Sequence, residues 1–473
     1  MSRARSVPRS PARALSLALS VTFSLALLGA ACGVPEPGAR EAARKGPLPE
    51  DGELHRDAGP RLDAGRTRPR VGHYPVDRVL SPLTPAVVAE LRAIAARGAW
   101  RDDVFAKVGD SQSYSRHFMG CFDDPNEPVV LDHYAHLEPA VTYFRGGDAD
   151  GTSPFARRSL ATKIGRTVGW ALRGATPAPI EQELAAIHPR YALIMYGTND
   201  SSSTNFGLYA RDLLALVDGL AQKGVVPIVT TVPRRKDNPD ADARVHTYNA
   251  VMRAVAQLRK VPLVDLWRAV EGMRFALFPD EGIHLYSYFD PCDFTRVGLS
   301  YGLNVRNLRT LEILAQVKAV LVDGAEGEKG TLAVPSGSGT VEDPIRIATL
   351  PFSDAGDVTR AGPSHLAAYR SADGVSCLPT RVRAGSEVVY RFQVAERGWV
   401  RATALSLGTT PVNLQLLKET DGGAGATEGG CLRQHESTVR SYLYPGDYAA
   451  VVDSDAAGPA GSGEYLFTLV TER

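Results

Sequence analysis

The 473-residue chain is 44% hydrophobic and 22% charged, enough apolar material for a sizeable core and enough length for two or three domains. Lysine plus arginine equal aspartate plus glutamate at 53 each, so no net field draws in nucleic acid or an anionic membrane surface. Small neutral substrates or other proteins are the expected partners, and a monomer the expected state.

At the N-terminus, Arg3, Arg5, Arg9 and Arg13 precede the apolar run "ALSLALSVTFSLALLGAA", and Cys32 follows directly. This order reads as a processing signal over residues 1–31, set aside from the fold. The ending "LLGAAC" resembles the lipobox of bacterial lipoproteins, with Gly29 where leucine is usual. The resemblance implies lipidation of Cys32 and a lipid anchor as the chain's membrane contact, on an exported protein in the periplasm or at the cell surface. A plain secretory signal or an uncleaved anchor helix would equally place the remainder outside the cytoplasm. Residues 32–75 are rich in Pro, Gly, Arg and acids, and such a segment is expected to be a disordered tether.

Periodicity begins with a helical pattern over 85–100, followed by the short apolar strand "DVFAKVGDS" (103–111). A helix at 179–190 leads into the unbroken apolar run "YALIMYGTND" (191–200). A helix (207–223), a strand (225–233), a helix (243–260) and the strand "VPLVDLW" (261–267) follow. Strands alternating with helices predict a parallel α/β sheet covered on both faces. In such a sheet ligands bind beyond the carboxyl ends of the strands. Ser111 lies at one such end, and Thr198, Asn199 and Asp200 lie at another. The bland role, capping the following helix, is expected of Asp200.

A Gly-Asp-Ser triplet is weak evidence by itself. A serine nucleophile needs a base, usually a histidine held in the right tautomer by a carboxylate. His284, in the loop "FPDEGIHLYSY", has Glu281 three residues before it and Asp280 four before it. Either carboxylate can reach its Nδ1.

With these blocks in order, the chain resembles the SGNH, or GDSL-type, hydrolases over about residues 78–322. The resemblance implies a flavodoxin-like three-layer α/β/α domain (76–323) and serine esterase chemistry with no cofactor or metal. It implies Ser111 as nucleophile, His284 as base and Glu281 as the orienting acid, with Asp280 as the alternative. Through "KIGRT" and "GTND" it implies Gly165 and Asn199 as oxyanion donors, although Gly146, Gly147 and Gly169 compete with Gly165. "VGDSQ" departs from the family in having Gln112 where leucine is common. The Asp-rich "GGDADGT" (146–152) lacks the far acidic residue of a calcium loop and is expected to border the active site. The expected substrate is a small-molecule or glycan ester with a short acyl group. A catalytically inactive SGNH-fold binding lipoprotein and a glycan O-acyltransferase are the alternatives.

After a helix at 306–324, a Gly/Ser-rich linker (324–344) leads to period-two segments with turn signals about every ten residues, predicting an antiparallel β-sandwich over 345–473. "YPGDY" and the closing strand resemble the bacterial pre-peptidase C-terminal module. Val388, Tyr390, Phe392 and Val394 share one face, and the module's aromatics are expected to fill its core rather than form a sugar platform. Four cysteines beyond Cys32 allow three pairings. The domain split selects Cys121 with Cys292 and Cys377 with Cys431.

Overall fold

In the first sheet every residue of three of the four strands is buried: β2 (Pro189–Met195), β3 (Val226–Thr230) and β4 (Leu263–Val264). Strands covered on both faces must be apolar throughout, which is why they read as unbroken runs. With β1 (Arg101–Gly109) they form an all-parallel sheet in the order β1-β2-β3-β4. On the other side of β1, a single parallel bridge joins Gly109 to Thr162. The chain thus leaves β1 to one side, then returns to build β2 to β4 on the other. Such a reversal opens a crevice at the carboxyl end of the strand, and Ser111 follows that end directly.

The computed structural model describes residues 71–472 apart from 361–365, 367, 368, 372, 378–384, 420–429 and 455–462. The predicted signal peptide, Cys32 and all but the last five residues of the predicted tether lie outside the described residues. The helices are α1 (Pro85–Ala95), α2 (Ser111–Tyr114), α3 (Glu138–Arg145), α4 (Val168–Arg173), α5 (Pro179–Ile187), α6 (Phe206–Gln222), α7 (Pro239–Arg259), α8 (Leu266–Val270) and α9 (Gly302–Leu321). Side-chain caps start several of them: Asn205 Oδ1 accepts from Leu208 N at 3.0 Å, and Asn238 Oδ1 from Ala241 N at 3.0 Å. Each such cap contributes about 1 kcal/mol.

Among the described residues, nine further strands form two sheets. One runs β10 (Cys431–His435), β9 (Val412–Lys418), β12 (Gly446–Ser454), β7 (Glu387–Val394) and β5 (Ile345–Ile347). The other runs β11 (Thr438–Leu443), β8 (Gly398–Ser406), β13 (Glu464–Glu472) and β6 (Phe352–Asp357). All pairings within them are antiparallel except β5 with β7. Val388, Tyr390, Phe392 and Val394 are buried in the shared core. Three aromatics depart from the expectation that the module's rings fill its core, since Trp399, Tyr442 and Tyr444 are 40%, 41% and 62% exposed. The pleat explains it: Val439 and Leu443 of β11 point inward, so Tyr442, opposite Trp399, points out.

These sheets pack directly on the first half of the chain through α7, which is buried without a break from Thr247 to Gln257. Gln257 Nε2 donates to the Ser353 carbonyl at 3.0 Å, and Ser353 Oγ donates to the Ala250 carbonyl at 2.9 Å. The segment before the sandwich is packed as well: Arg78 makes a two-pronged contact with Glu328 at 2.7 and 3.0 Å, and His73 pairs with Ala333.

Candidate active site

β1 stops at Gly109 because the next backbone must turn tightly over the neighbouring strand. A Cβ on Gly109 would lie 2.4 Å from Ser113 Oγ and 2.6 Å from the Met195 carbonyl oxygen. Asp110 caps the single turn α2, its Oδ1 accepting from Gln112 N at 3.0 Å. This turn presents Ser111, half-buried, with its Oγ 2.9 Å from His284 Nε2. His284 Nδ1 in turn lies 3.0 Å from Glu281 Oε2. Gly282, at φ 66°, bends the chain so that Glu281 and His284 meet within one turn. Both candidate acids are exposed, and Glu281 is the one hydrogen-bonded to the imidazole.

The candidate oxyanion donors converge on the same edge. Gly109 N donates to the Ala161 carbonyl at 3.2 Å and Lys163 N to the Gly109 carbonyl at 3.1 Å, so this segment runs along the end of β1 and brings exposed Gly165 just beyond it. Gly165 has φ 71°, in the left-handed region that favours glycine. The competing glycines sit elsewhere: Gly147 is packed 2.2 Å, as a would-be Cβ, from the Asp103 carbonyl, and Gly169 lies within α4. Asn199 follows β2, and its Nδ2 donates to Asp110 Oδ2 at 3.3 Å and to the Arg166 carbonyl at 3.1 Å.

Two sequence expectations change here. The "GGDADGT" loop does not border the site. It lies at the amino end of β1, where Asp148 approaches Arg101, and six residue steps along the strand, about 20 Å, separate Asp103 from Gly109. Asp200 does cap a helix, though not the one that follows it: its Oδ1 accepts from Val168 N at 3.2 Å, at the start of the preceding α4, and the following α6 is capped by Asn205.

The edge is underlain by buried charge. Burial pushes the Asp110 carboxyl up to about 6, against the opposing pull of the Gln112 N–H and the Arg306 charge. Burial pushes Asp200 up to about 7, and the Asp110 charge adds to the effect. Arg306 of α9 donates to the Gln112 carbonyl at 2.5 Å and to Ser113 Oγ at 2.8 Å, its guanidinium 3.5 Å above the Phe118 ring. Lys107 donates to the Phe155 and Phe118 carbonyls at 2.7 and 3.2 Å, and burial pushes it down to about 7. Neither cation stands out by motif, but Lys107 is a charge set inside the apolar run from Val104 to Val108, whereas Arg306 stands among the other polar residues of α9. Inconsistency with a solvated face is the signal that could have found Lys107, and Arg306 carries none.

Both predicted disulfides are present. Cys121–Cys292 joins the nucleophile side to the base loop across 171 residues, and Cys377–Cys431 spans 54 residues of the sandwich. A cavity of about 250 Å³ opens on the base side of Ser111, with Ser115, His117, Ser287 and Phe278 in its wall. Among the described residues, no group of three or more His, Cys, Asp or Glu side chains comes together as a metal site, and no helix is long and apolar enough to cross a membrane.

Residues 141–287 match the GDSL-like lipase/acylhydrolase family, a stretch that holds Gly165, Asn199, Glu281 and His284 and begins after Ser111. Over 107 residues the chain is 29% identical to the rhamnogalacturonan acetylesterase RhgT of Bacillus subtilis (strain 168), covering 21% of this chain and 46% of that protein. The match therefore spans just under half of that relative's length. Among solved structures, an acetylxylan esterase, Axe2, from Geobacillus stearothermophilus aligns at 16% identity over 44% of this chain and 93% of that one, with a TM-score of 0.28. A GDSL-like lipase from Bacteroides thetaiotaomicron VPI-5482 aligns at 15% identity over 48% and 98%, with a TM-score of 0.30. The pre-peptidase C-terminal domain of a collagenase from Bacillus anthracis aligns at 17% identity over 26% and 91%, with a TM-score of 0.17. Residues 141–287, beside the Ser111 edge, are thus similar to the GDSL-like lipase/acylhydrolase family.

Proposed function

We propose that this protein is a serine esterase that removes short acyl groups, acetyl above all, from extracellular or envelope carbohydrate. The observation that carries the reading is the unbroken chain from Ser111 Oγ through His284 to Glu281, at 2.9 and 3.0 Å. In the proposed reaction Oγ attacks the ester carbonyl while Nε2 takes its proton, and Glu281 stabilises the imidazolium. The oxyanion settles against the N–H groups of Ser111 and Gly165 and the Asn199 amide, which exchanges the Arg166 carbonyl for the substrate oxygen. Nε2 then returns the proton to the departing alcohol, and water, activated by the same imidazole, releases the acid.

Because His284 protonates the leaving group, the alcohol lies on the His284 side, where the small cavity opens. Hydroxyls of Ser115 and Ser287, the His117 ring and the Phe278 ring give that wall both hydrogen-bonding and apolar surface, which suits one sugar unit better than a lipid tail. The acetylesterase relative supports the same substrate class. The disulfides fit an oxidising compartment, in keeping with a protein exported and held at the membrane through a lipidated Cys32, acting there as a monomer without a cofactor. Initial rates on 4-nitrophenyl esters from acetate to octanoate, together with acetate release from an acetylated oligosaccharide, test the reading. It requires fastest turnover at the short end and loss of activity in Ser111→Ala. Activity surviving in that variant, or acetyl groups passed to an added acceptor sugar in place of acetate release, would overturn it.

A further inference from the structure

Gln112 directly follows the proposed nucleophile, and its side chain is buried. Its Nε2 donates to the Ile283 carbonyl at 2.7 Å, and its Oε1 accepts from Leu285 N at 3.2 Å. Ile283 and Leu285 are the two neighbours of His284. One amide side chain therefore grips the backbone on both sides of the base, matching a donor and an acceptor to a carbonyl and an N–H.

Gln112 is itself held on its own backbone. Its N–H goes to Asp110 Oδ1, and its carbonyl accepts from the buried Arg306 guanidinium. The base loop, by contrast, has little regular structure: between α8 and α9 its pairing consists of isolated bridges such as Leu277 with Leu285. The Cys121–Cys292 disulfide restrains that loop as a whole, eight residues beyond His284, while the Gln112 contacts hold the backbone on either side of the imidazole itself. A leucine, common at this position in the pattern the sequence resembles, would fill the space without binding either backbone group.

We propose that Gln112 is a positioning residue, which sets the distance between Ser111 Oγ and His284 Nε2 by clamping the base loop to the nucleophile turn. The inference rests on the Ser111–His284 reading above. The clamp makes the two halves of the proposed proton transfer a single unit although they are 173 residues apart. Small displacements of reacting groups are enough to slow turnover strongly.

The test compares Gln112→Met, Gln112→Leu and Gln112→Glu with wild type and Ser111→Ala on 4-nitrophenyl acetate, at a temperature where circular dichroism shows every variant folded. The Met and Leu variants should lose about 10- to 100-fold in kcat with KM within about twofold, because a misplaced base slows the reaction more than it weakens binding. In both, hydrogen exchange at the Leu285 amide should accelerate. In Gln112→Glu the neutral carboxyl offers the same donor and acceptor pair as the amide, so its rate relative to wild type should recover as the pH falls and decline as the carboxyl ionises. A purely structural role would lower the melting temperature, leave kcat unchanged and produce no pH-dependent recovery. Wild-type kcat in Gln112→Met and Gln112→Leu, with Ser111→Ala inactive, overturns the positioning role alone. Full activity in Ser111→Ala overturns the triad reading and the positioning role with it.

Discussion

The carboxyl edge of the parallel sheet and the interior of the sandwich both bury carboxylates, but they satisfy them differently. In the sandwich two of them meet charge: Glu472 of β13 pairs with Arg401 of the adjacent β8 and with Arg440 of β11 beyond it, and Glu419, just past β9, pairs with Arg391 of β7, while Asp354 and Asp453 accept from the Tyr390 and Tyr369 hydroxyls. At the sheet edge the fully buried Asp110 takes neutral N–H donors instead, one from Gln112 and one from Asn199. An ion pair satisfies two side chains and goes no further, whereas a carboxylate that accepts from two loops fixes those loops relative to each other. The disulfides repeat the division. One joins the loops that carry Ser111 and His284, and the other fastens Cys377, part of the apolar layer over Val389, Leu417 and Val451, to β10. The sheet edge is built to hold distances, and the sandwich is built to hold itself together.

The contrast is broken most sharply at Asn199. If its amide serves the oxyanion, Asn199→Ala should cut kcat by about 10² to 10³, or about 2.7–4 kcal/mol of transition-state stabilisation, without a comparable fall in melting temperature. Unchanged kcat in steady-state kinetics would return Asn199 to the role of a polar joint between Asp110 and Arg166.

Next in size is the separation of the disulfides. Replacing Cys121 and Cys292 by serine should lower both stability and kcat, because it loosens the base loop. Replacing Cys377 and Cys431 should cost about 2–5 kcal/mol of stability in chemical denaturation and leave kcat within about twofold. Equal effects of the two double variants on kcat would erase the distinction between the regions.

The smallest expected effect is a pH dependence. Burial raises Asp200 to about 7 in the folded protein, against about 3.9 in an unfolded chain. As pH climbs from about 4 to about 7, the unfolded chain loses its proton first, so this group's contribution to stability falls across that window. Asp200→Asn keeps the acceptor for Val168 N and removes the ionisation. Melting curves between pH 5 and 8 should therefore show the variant gaining on wild type as pH rises, and parallel curves would contradict the burial argument.

The parts of this arrangement that are local in sequence could be read there. Strands β2 and β3 appear as apolar runs, and the Ser111, Asn199 and His284 blocks each sit beside a strand end or in the loop that follows. The acid stayed open because Asp280 and Glu281 are adjacent, and the bend at Gly282 is what decides between them. Contacts made across the chain left no local mark. The Gln112 clamp bridges 171 residues to Ile283, and nothing in "DSQSY" tells a buried amide from a surface one. α7 reads as a helix with an apolar stripe, yet Asn249, Arg253 and Gln257 are also buried, since β3 lies on one side and the sandwich on another. Its polar residues look solvated until their partners are placed.

The proposed activation of Ser111 as a nucleophile can be read directly with a fluorophosphonate probe, without a known substrate. Labelling of the folded wild-type protein, followed by peptide mapping, should place one phosphonyl group on Ser111, and His284→Ala should label far more slowly. Labelling at another residue, or equal labelling of wild type and His284→Ala, would contradict the account.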